Sequence, residues 1–238
     1  MITPEWPAPA GVKSLMTTRE GGVSGPPWSS FNLGDHVGDD PASVAANRAR
    51  LHQILPAEPG WLKQVHSARV VELGRGADLD ADASFTRERG QVCAVLTADC
   101  LPVLFCDRAG SVVAAAHAGW RGLAGGVLEA TVAAMQAPPG EVLAWMGAAI
   151  GPAAFEVGEE VRETFVRQHA EAAAAFVPRS EPGKWLADIY RLARIRLDSM
   201  GVHAVYGGGR CTFSEAETFY SYRRDGVTGR MASLIWLA

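Results

Sequence analysis

Three residues of this 238-residue sequence could together bind a transition metal, or two of them could act as nucleophile and base. Cys100 follows Asp99 between two apolar runs, and His117 lies near the end of the next apolar run. A thiolate beside an imidazole suits either a Cys/His nucleophile pair or a metal site. His66, in the segment Gln-Val-His, is the candidate third group. Two histidines and one cysteine would leave zinc one open position for water or substrate.

The spacing of these three residues matches no short zinc motif. A cysteine in an apolar run is often a small buried hydrophobe, and a histidine at a strand end is often a hydrogen-bonded structural residue. The residue types therefore leave three interpretations open: a metal site, a nucleophile pair and a purely structural role.

Several polar residues could support such a site. Arg121 stands between a predicted strand and a predicted helix, where it could hold an anion such as phosphate or form a surface salt bridge. His36 could contact substrate or support a ligand. The alternating Asp78, Asp80 and Asp82 resemble a calcium loop, but the glycine and the final acidic residue are missing, so we expect a solvated turn. Asp82 is the member of that run expected to matter most.

The segment TFYSYRRDGVTGR combines aromatic residues with three arginines and turn glycines. It is predicted to be either a substrate-contacting loop or an exposed turn before the final strand.

Short apolar runs separated by turn residues predict buried strands in the middle of the chain. The strands are predicted over 92–98, 101–106, 111–118, 142–151, 202–206 and 232–237. Helices are predicted over 41–55, 123–136, 158–174 and 185–200. The short connections between successive strands argue against a purely parallel sheet. We therefore expect an α/β (α+β) fold, a single layered domain over 1–238 with mixed central β-sheets flanked by helices, in which the ends carrying Cys100 and His117 meet.

The composition excludes several classes of protein. Hydrophobic residues make up 48% and charged residues 20% of the chain, which is ordinary for a globular domain. The formal net charge of −4 provides no positive field for a phosphate backbone, so nucleic acid is not an expected partner. No signal sequence or long apolar run is present, which predicts a cytoplasmic protein without a membrane contact. Four cysteines are too few for a disulfide scaffold, so reduced thiols are expected.

Together, the motifs FNLGDHVGD, WLKQVHS, TADCLPVLF, HAGWRGL, AIGPAAFEVG, WLADIYRLAR and RCTFSEAETFYSYRRDGVTGRMASLIWL resemble the YfiH family along essentially the whole chain. The resemblance implies that His66, Cys100 and His117 are metal ligands, for Zn²⁺ or alternatively Cu²⁺. It also implies an α/β/β/α layered fold similar to a toxin cysteine deamidase domain. One departure is Ala148 after Gly147, where the family often has proline, which predicts a slightly less rigid loop.

The resemblance implies phosphorolysis of adenosine, inosine, guanosine and methylthioadenosine, and hydrolytic deamination of adenosine. The expected partners are thus purine nucleosides and phosphate. We hypothesise that Arg121, together with Arg48, holds phosphate, that Asp99 or a metal-bound water manages protons, and that aromatic residues near 219–222, Tyr222 among them, flank the base. The sequence leaves the oligomeric state open, and a monomer is compatible with it.

Two other functions remain as alternatives. Family members have been described as copper-dependent polyphenol oxidases, but six histidines are too few for a laccase-type copper cluster. A metal-free Cys100 nucleophile with His117 as base would instead give a hydrolase, and a family member has been linked to peptidoglycan precursor editing. That reading leaves His66 unexplained.

Overall fold

The computed structural model of the chain describes residues 1–74, 76 and 79–238, so Asp78 lies outside the described residues. The strands are β1 (Val12–Met16), β2 (Val70–Glu72), β3 (Ala83–Thr86), β4 (Val92–Thr97), β5 (Leu101–Asp107), β6 (Val113–Ala118), β7 (Val142–Met146), β8 (Glu156–Gly158), β9 (Phe176–Pro178), β10 (Lys184–Ala187), β11 (Ala204–Gly207) and β12 (Met231–Leu237). The α-helices are α1 (Pro41–His52), α2 (Trp120–Ala124), α3 (Val127–Met135), α4 (Glu159–Val166), α5 (Ile189–Ser199) and α6 (Tyr222–Asp225).

A six-stranded sheet in the order β11-β7-β5-β6-β3-β2 forms the centre of the fold. Strand β5 pairs antiparallel with both β6 and β7, whereas β7 pairs parallel with β11 and β2 pairs parallel with β3. The sheet is therefore mixed, as predicted. The register places Leu101 opposite Ala118, so the start of β5 and the end of β6 lie side by side.

The layers follow from the alternation of side chains along β5. Leu104 and Cys106 share a core cluster with residues of β4 and β12, which belong to a second sheet of order β1-β12-β4. Val103 and Phe105 share the opposite cluster with residues of α3 and α5. Leu51 of α1 packs with the other side of β4 and β12. The order of layers is helix, sheet, sheet, helix, and the predicted fold class is confirmed.

Helix α1 begins where the sequence predicts it. The Asp40 carboxylate accepts hydrogen bonds from the amides of Ala42 and Ser43, and Pro41 occupies the first turn. The helix ends at His52, three residues before the predicted boundary.

Three predicted helices have different bounds. The helix predicted over 123–136 is divided into α2 and α3, because Gly125 ends the first and Gly126 has a φ of 92°. The helix predicted over 158–174 is α4, followed by a 3-10 helix over Ala170–Ala175. The helix predicted from residue 185 begins only at Ile189, since Asp188 caps it and the preceding residues form β10.

The strand predicted over 142–151 ends at Met146. The next residues leave the sheet and bind the loop before β5: the amide of Ile150 donates to the carbonyl oxygen of Asp99. The apolar run thus contains a strand followed by a buried loop. The helices within 1–74 and 79–238 are all too short or too polar to cross a lipid bilayer.

Candidate metal centre

The ligand atoms of His66, Cys100 and His117 all lie within 4.8 Å of one another. Cys100 directly precedes β5, and His117 lies in β6, where it pairs with Pro102. The antiparallel pairing of these strands brings the thiol and the imidazole together, as the sequence predicts. His66 comes from the loop before β2, and its Nε2 is 3.8 Å from Cys100 Sγ.

Hydrogen bonds of the Gln64 side chain hold the loop that carries His66 against strand β4. The Gln64 amide donates to the carbonyl oxygen of Leu96 and accepts from the Leu96 amide, each at 2.7 Å. His66 itself has a φ of 60°, a left-handed conformation that is uncommon for residues other than glycine. This strained position is typical of functional sites that the surrounding structure holds in place.

Asp82 connects the two histidines. Its carboxylate is fully buried and accepts hydrogen bonds from the amides of Val65, His66 and Ser67 and from the Ser67 hydroxyl. The same carboxylate accepts from Nδ1 of His117 at 2.8 Å. One buried charge therefore shapes the His66 loop and orients the His117 ring, which fits the weight the sequence assigns to Asp82.

The charges in this cluster reinforce one another. Burial raises the pKa of the Cys100 thiol, but His117 and His66 outweigh that effect and lower the pKa well below its usual value. Burial lowers the pKa of His117, whereas Cys100 and Asp82 raise it above its usual value. Burial likewise raises the pKa of Asp82, but hydrogen bonds with His117 and Ser67 hold it at about 2. The metal-free chain therefore favours a thiolate beside an imidazolium.

These donors fit a zinc ion. Zinc binds imidazole nitrogen at about 2.0 Å and thiolate sulfur at about 2.3 Å, so two ligands of a tetrahedral ion lie roughly 3.5 Å apart, close to the observed separation of His66 and Cys100. Because Nδ1 of His117 donates to Asp82, its Nε2 is free to bind metal, the usual carboxylate, histidine and zinc arrangement. Gly119 leaves the necessary room, since a Cβ there would lie 2.9 Å from Cys100 Sγ.

The cluster forms one wall of a cavity of about 410 Å³. The cavity is lined by His36, Gln64, His66, Leu96, Thr97, Ala98, Cys100, His117, Tyr222 and Arg230. His66 is exposed and His117 is buried, so the cluster is reached from one side. A pocket of this volume is within the usual range for small-molecule sites.

The structure brings only part of the predicted supporting set to the cavity. Tyr222 and His36 line it. The Arg48 guanidinium instead donates to the carbonyl oxygen of Leu33 and forms an ion pair with Asp35. The phosphate role assigned to Arg48 remains a prediction.

Arg121 and Asp99 also lie outside the cavity lining. Arg121 is exposed and its guanidinium lies over the Trp120 ring. The Asp99 carboxylate accepts from the Thr212 hydroxyl at 2.6 Å and from the Arg223 amide at 2.7 Å, so it joins the segment around Thr212 to helix α6. Their proposed roles in phosphate binding and proton transfer likewise stay predictions.

Arg230 is a charged cavity residue that the sequence does not single out. The segment TFYSYRRDGVTGR is predicted to contact substrate or to form an exposed turn, but it contains three arginines and its pattern does not distinguish them. Arg223 donates to the carbonyl oxygen of Glu156, and Arg224 pairs with Asp225. Only the folded chain shows that Arg230, just before β12, reaches the cavity.

The fold and the cluster define a layered α/β protein in which three residues that could hold one metal ion line a cavity. Residues 13–238 match the family model described as multi-copper polyphenol oxidoreductase laccase. The chain belongs to this family, which includes the YfiH proteins.

Similar proteins cover nearly the whole chain. A protein named purine nucleoside phosphorylase PA4543 from Pseudomonas aeruginosa is 61% identical over 99% of this chain and 98% of its own length. Purine nucleoside phosphorylase YfiH from Escherichia coli K12 is 57% identical over 100% of this chain and 98% of its own. The crystal structure of Neisseria meningitidis protein NMB0706 superposes with a TM-score of 0.95 at 57% identity, covering 99% of this chain and 98% of that one. These names support an enzymatic role for this chain.

Proposed function

We propose that the protein is a zinc-dependent purine nucleoside phosphorylase that acts on adenosine, inosine, guanosine and methylthioadenosine. The observation that carries the proposal is the position of the His66, Cys100 and His117 ligand atoms on the wall of one cavity of nucleoside size. The names of relatives that are 61% and 57% identical support the same reaction.

His66, Cys100 and His117 would hold the zinc ion. Copper is the alternative metal, because copper(II) binds such ligands more tightly. When bound, the ion supplies Lewis-acid polarisation of a substrate atom. Three protein ligands leave a coordination position free, which is typical of catalytic zinc sites and not of structural ones.

Phosphorolysis breaks the bond between the ribose C1′ and the purine nitrogen and forms a bond from a phosphate oxygen to C1′. The departing purine takes up the proton that hydrogen phosphate gives up, so the products are the free base and ribose 1-phosphate, or the 5-methylthio sugar phosphate from methylthioadenosine. The exposed ring of Tyr222 offers a face on which the purine can stack. Adenosine deamination in the same cavity would add water at the purine C6 and release ammonia.

A second candidate is a hydrolase with Cys100 as nucleophile, including one that edits peptidoglycan precursors. It is favoured by the hydrogen bond from His117 Nδ1 to Asp82, because a nucleophile, a base and an orienting carboxylate are then in contact. This candidate gives no role to His66. The polyphenol oxidase reading is weaker, since the described residues contain one three-residue ligand cluster and the multi-copper reaction needs several.

The test is a phosphate-dependent assay of base release from inosine with four proteins: wild type, Cys100→Ala, His66→Ala and His203→Ala. His203 is an exposed histidine paired with Asp198 and serves as the matched control. If the protein is a phosphorylase, both cavity variants lose activity. Wild type loses activity on chelation and regains it when zinc is returned.

The outcomes separate the candidates. Base release that needs phosphate, His66 and Cys100 supports the phosphorylase. A wild type that releases no base, together with hydrolysis of an amide substrate that needs Cys100 but neither His66 nor metal, supports the hydrolase and overturns the proposal.

A further inference from the structure

Arg230 brings a positive charge into the cavity, and no carboxylate forms an ion pair with it in the described part of the chain. Its side chain is partly buried and lines the cavity together with the ligand cluster. Its Nη1 donates to the carbonyl oxygens of Thr228 and Gly229. In the part of the chain that the structure describes, Nε and Nη2 make no hydrogen bond, and Arg230 forms no salt bridge with Asp or Glu.

The guanidinium is held in place by the backbone around it. The Arg230 amide donates to Asn32 Oδ1, which also accepts from the Gly34 amide. Gly34 packs against the arginine stem, since a Cβ at Gly34 would lie 2.8 Å from Arg230 Cγ. The position of the charge is therefore fixed before any ligand binds, which reduces the entropy cost of binding.

A partly buried guanidinium without an anion is unfavourable, because it has lost water without gaining an ionic partner. No Asp or Glu is among the residues described as lining this cavity, and the nearby charges of Cys100 and Asp99 act on Arg230 without a hydrogen bond to it in the described part of the chain. An anionic ligand would supply the missing direct partner. Nε and Nη2 lie on one edge of the planar guanidinium and can donate to two oxygens of the same oxyanion. Arg230 thus has the free donors that Arg48 and Arg121, engaged elsewhere, do not offer to the cavity.

We propose that Arg230 binds the phosphate co-substrate through Nε and Nη2, on the cavity side shared with the His66, Cys100 and His117 cluster. The identity of the anion rests on the proposed function, in which phosphate is the nucleophile. The residue holds phosphate near the cluster and leaves Tyr222 to contact the purine.

The test compares Arg230→Met with Arg230→Lys and with Arg108→Met. Methionine keeps the length of the apolar stem and removes the charge, and lysine restores the charge without the fork of donors. Arg108 is an exposed arginine just beyond the opposite end of β5 from Cys100, so its variant loses the same charge away from the cavity. Circular dichroism and zinc content establish that each variant is folded and metal-loaded.

Three quantities are measured: the steady-state KM for phosphate, the steady-state KM for inosine, and the Kd for inorganic phosphate by titration calorimetry. We expect Arg230→Met to raise the phosphate KM and Kd at least about tenfold, with a much smaller change in the inosine KM. Lysine should recover part of the loss, and Arg108→Met should match wild type.

The two assays separate failure of this inference from failure of the proposed function. If wild type releases base and Arg230→Met leaves the phosphate KM and Kd unchanged, the phosphorylase stands and Arg230 is not its phosphate ligand. If wild type releases no base but binds phosphate through Arg230, the anion site stands without the reaction. A wild type that binds no phosphate, or an equal loss in Arg108→Met, overturns the inference.

Discussion

The cavity has two sides that are built differently. One side, the ligand wall, consists of His66, Cys100 and His117 around the buried Asp82. The other side, the rim, is formed by His36 and by Tyr222 and Arg230, which come from a second segment far from His36 in the chain. His117 is 3% exposed, whereas Tyr222 is 60% exposed. Hydrogen bonds to Asp82 hold His117 and the backbone of the exposed His66 in place, and the rim offers groups that a reactant can contact from solvent.

The contrast indicates a division of labour. Strand pairing and a buried carboxylate hold the groups whose distances must be accurate, because metal ligands tolerate little displacement. In the proposed function, the rim residues would contact the purine and the anion without binding the metal. Changes to the ligand wall should therefore abolish metal binding, and changes to the rim should alter substrate affinity while metal stays bound.

The largest effect is expected for Cys100→Ala. Loss of the thiolate removes one of three ligands and should lower zinc affinity and base release by more than about 100-fold. Loss of a residue that only hydrogen-bonds a ligand costs about 10- to 100-fold. Elemental analysis after dialysis, together with the inosine assay, measures both quantities. Cys211 is a half-exposed cysteine outside the cavity, and Cys211→Ser is the control. This variant should bind zinc like wild type. Stoichiometric zinc in Cys100→Ala would remove this residue from the ligand wall.

Asp82→Asn should weaken zinc binding by about 10- to 100-fold without removing any ligand. The amide cannot compensate the charge of the metal site, and it accepts fewer of the bonds that Val65, His66 and Ser67 donate. Competition with a chromophoric chelator gives the affinity. Asp80→Asn changes a partly exposed carboxylate two residues earlier and should bind zinc like wild type. Equal affinities in the two variants would contradict the organising role of Asp82.

On the rim, Tyr222→Ala should raise the KM for inosine about tenfold and leave zinc content unchanged. Stacking of a base on an aromatic ring contributes about 1–3 kcal/mol, and about 1.4 kcal/mol corresponds to a tenfold change in affinity. Tyr222→Phe keeps the ring and should stay near wild type in the same steady-state assay. A loss of zinc in Tyr222→Ala would break the proposed separation between rim and ligand wall.

The smallest effect concerns the pH dependence of Cys100 in the metal-free protein. Because its pKa is lowered, alkylation by iodoacetamide should reach half its maximal rate below the usual pKa of a thiol, as the reactive thiolate forms at lower pH. Asp82→Asn removes charge that supports the imidazolium and should move this midpoint upward. Mass spectrometry of the labelled peptides measures it, and the buried Cys93 and Cys106, whose pKa burial raises to about 12, serve as unreactive references. A midpoint at the ordinary thiol pKa would contradict the thiolate and imidazolium pair.

How far the sequence predicts this molecule depends on the range of the interactions. Strands β5 and β6 were predicted because their apolar runs are continuous, and their short connection implied that Cys100 and His117 meet. Strand β1, the sequence VKSLM, was missed because its apolar signal is weak and its partner β12 lies at the other end of the chain. The sequence predicts the start of a helix where strand β10 forms, since Trp185 and Leu186 continue the apolar spacing of α5.

The same limit applies to the site. Asp82 stood out as one member of an acidic run, but its bonds to the His66 loop and to His117 are visible only in the folded chain. Arg230 depends on Asn32 and Gly34, about 200 residues earlier, for its position. No local pattern reports such a contact, so the sequence alone does not distinguish Arg230 from the other arginines.

The central claim is that His66, Cys100 and His117 bind one zinc ion, and X-ray absorption at the zinc edge tests it most directly. Protein purified without added metal should contain one zinc per chain, with one sulfur at about 2.3 Å and two imidazole nitrogens at about 2.0 Å. The sulfur contribution should disappear from any zinc that Cys100→Ala retains. A zinc shell without sulfur, or protein that neither contains nor takes up zinc, would contradict the account.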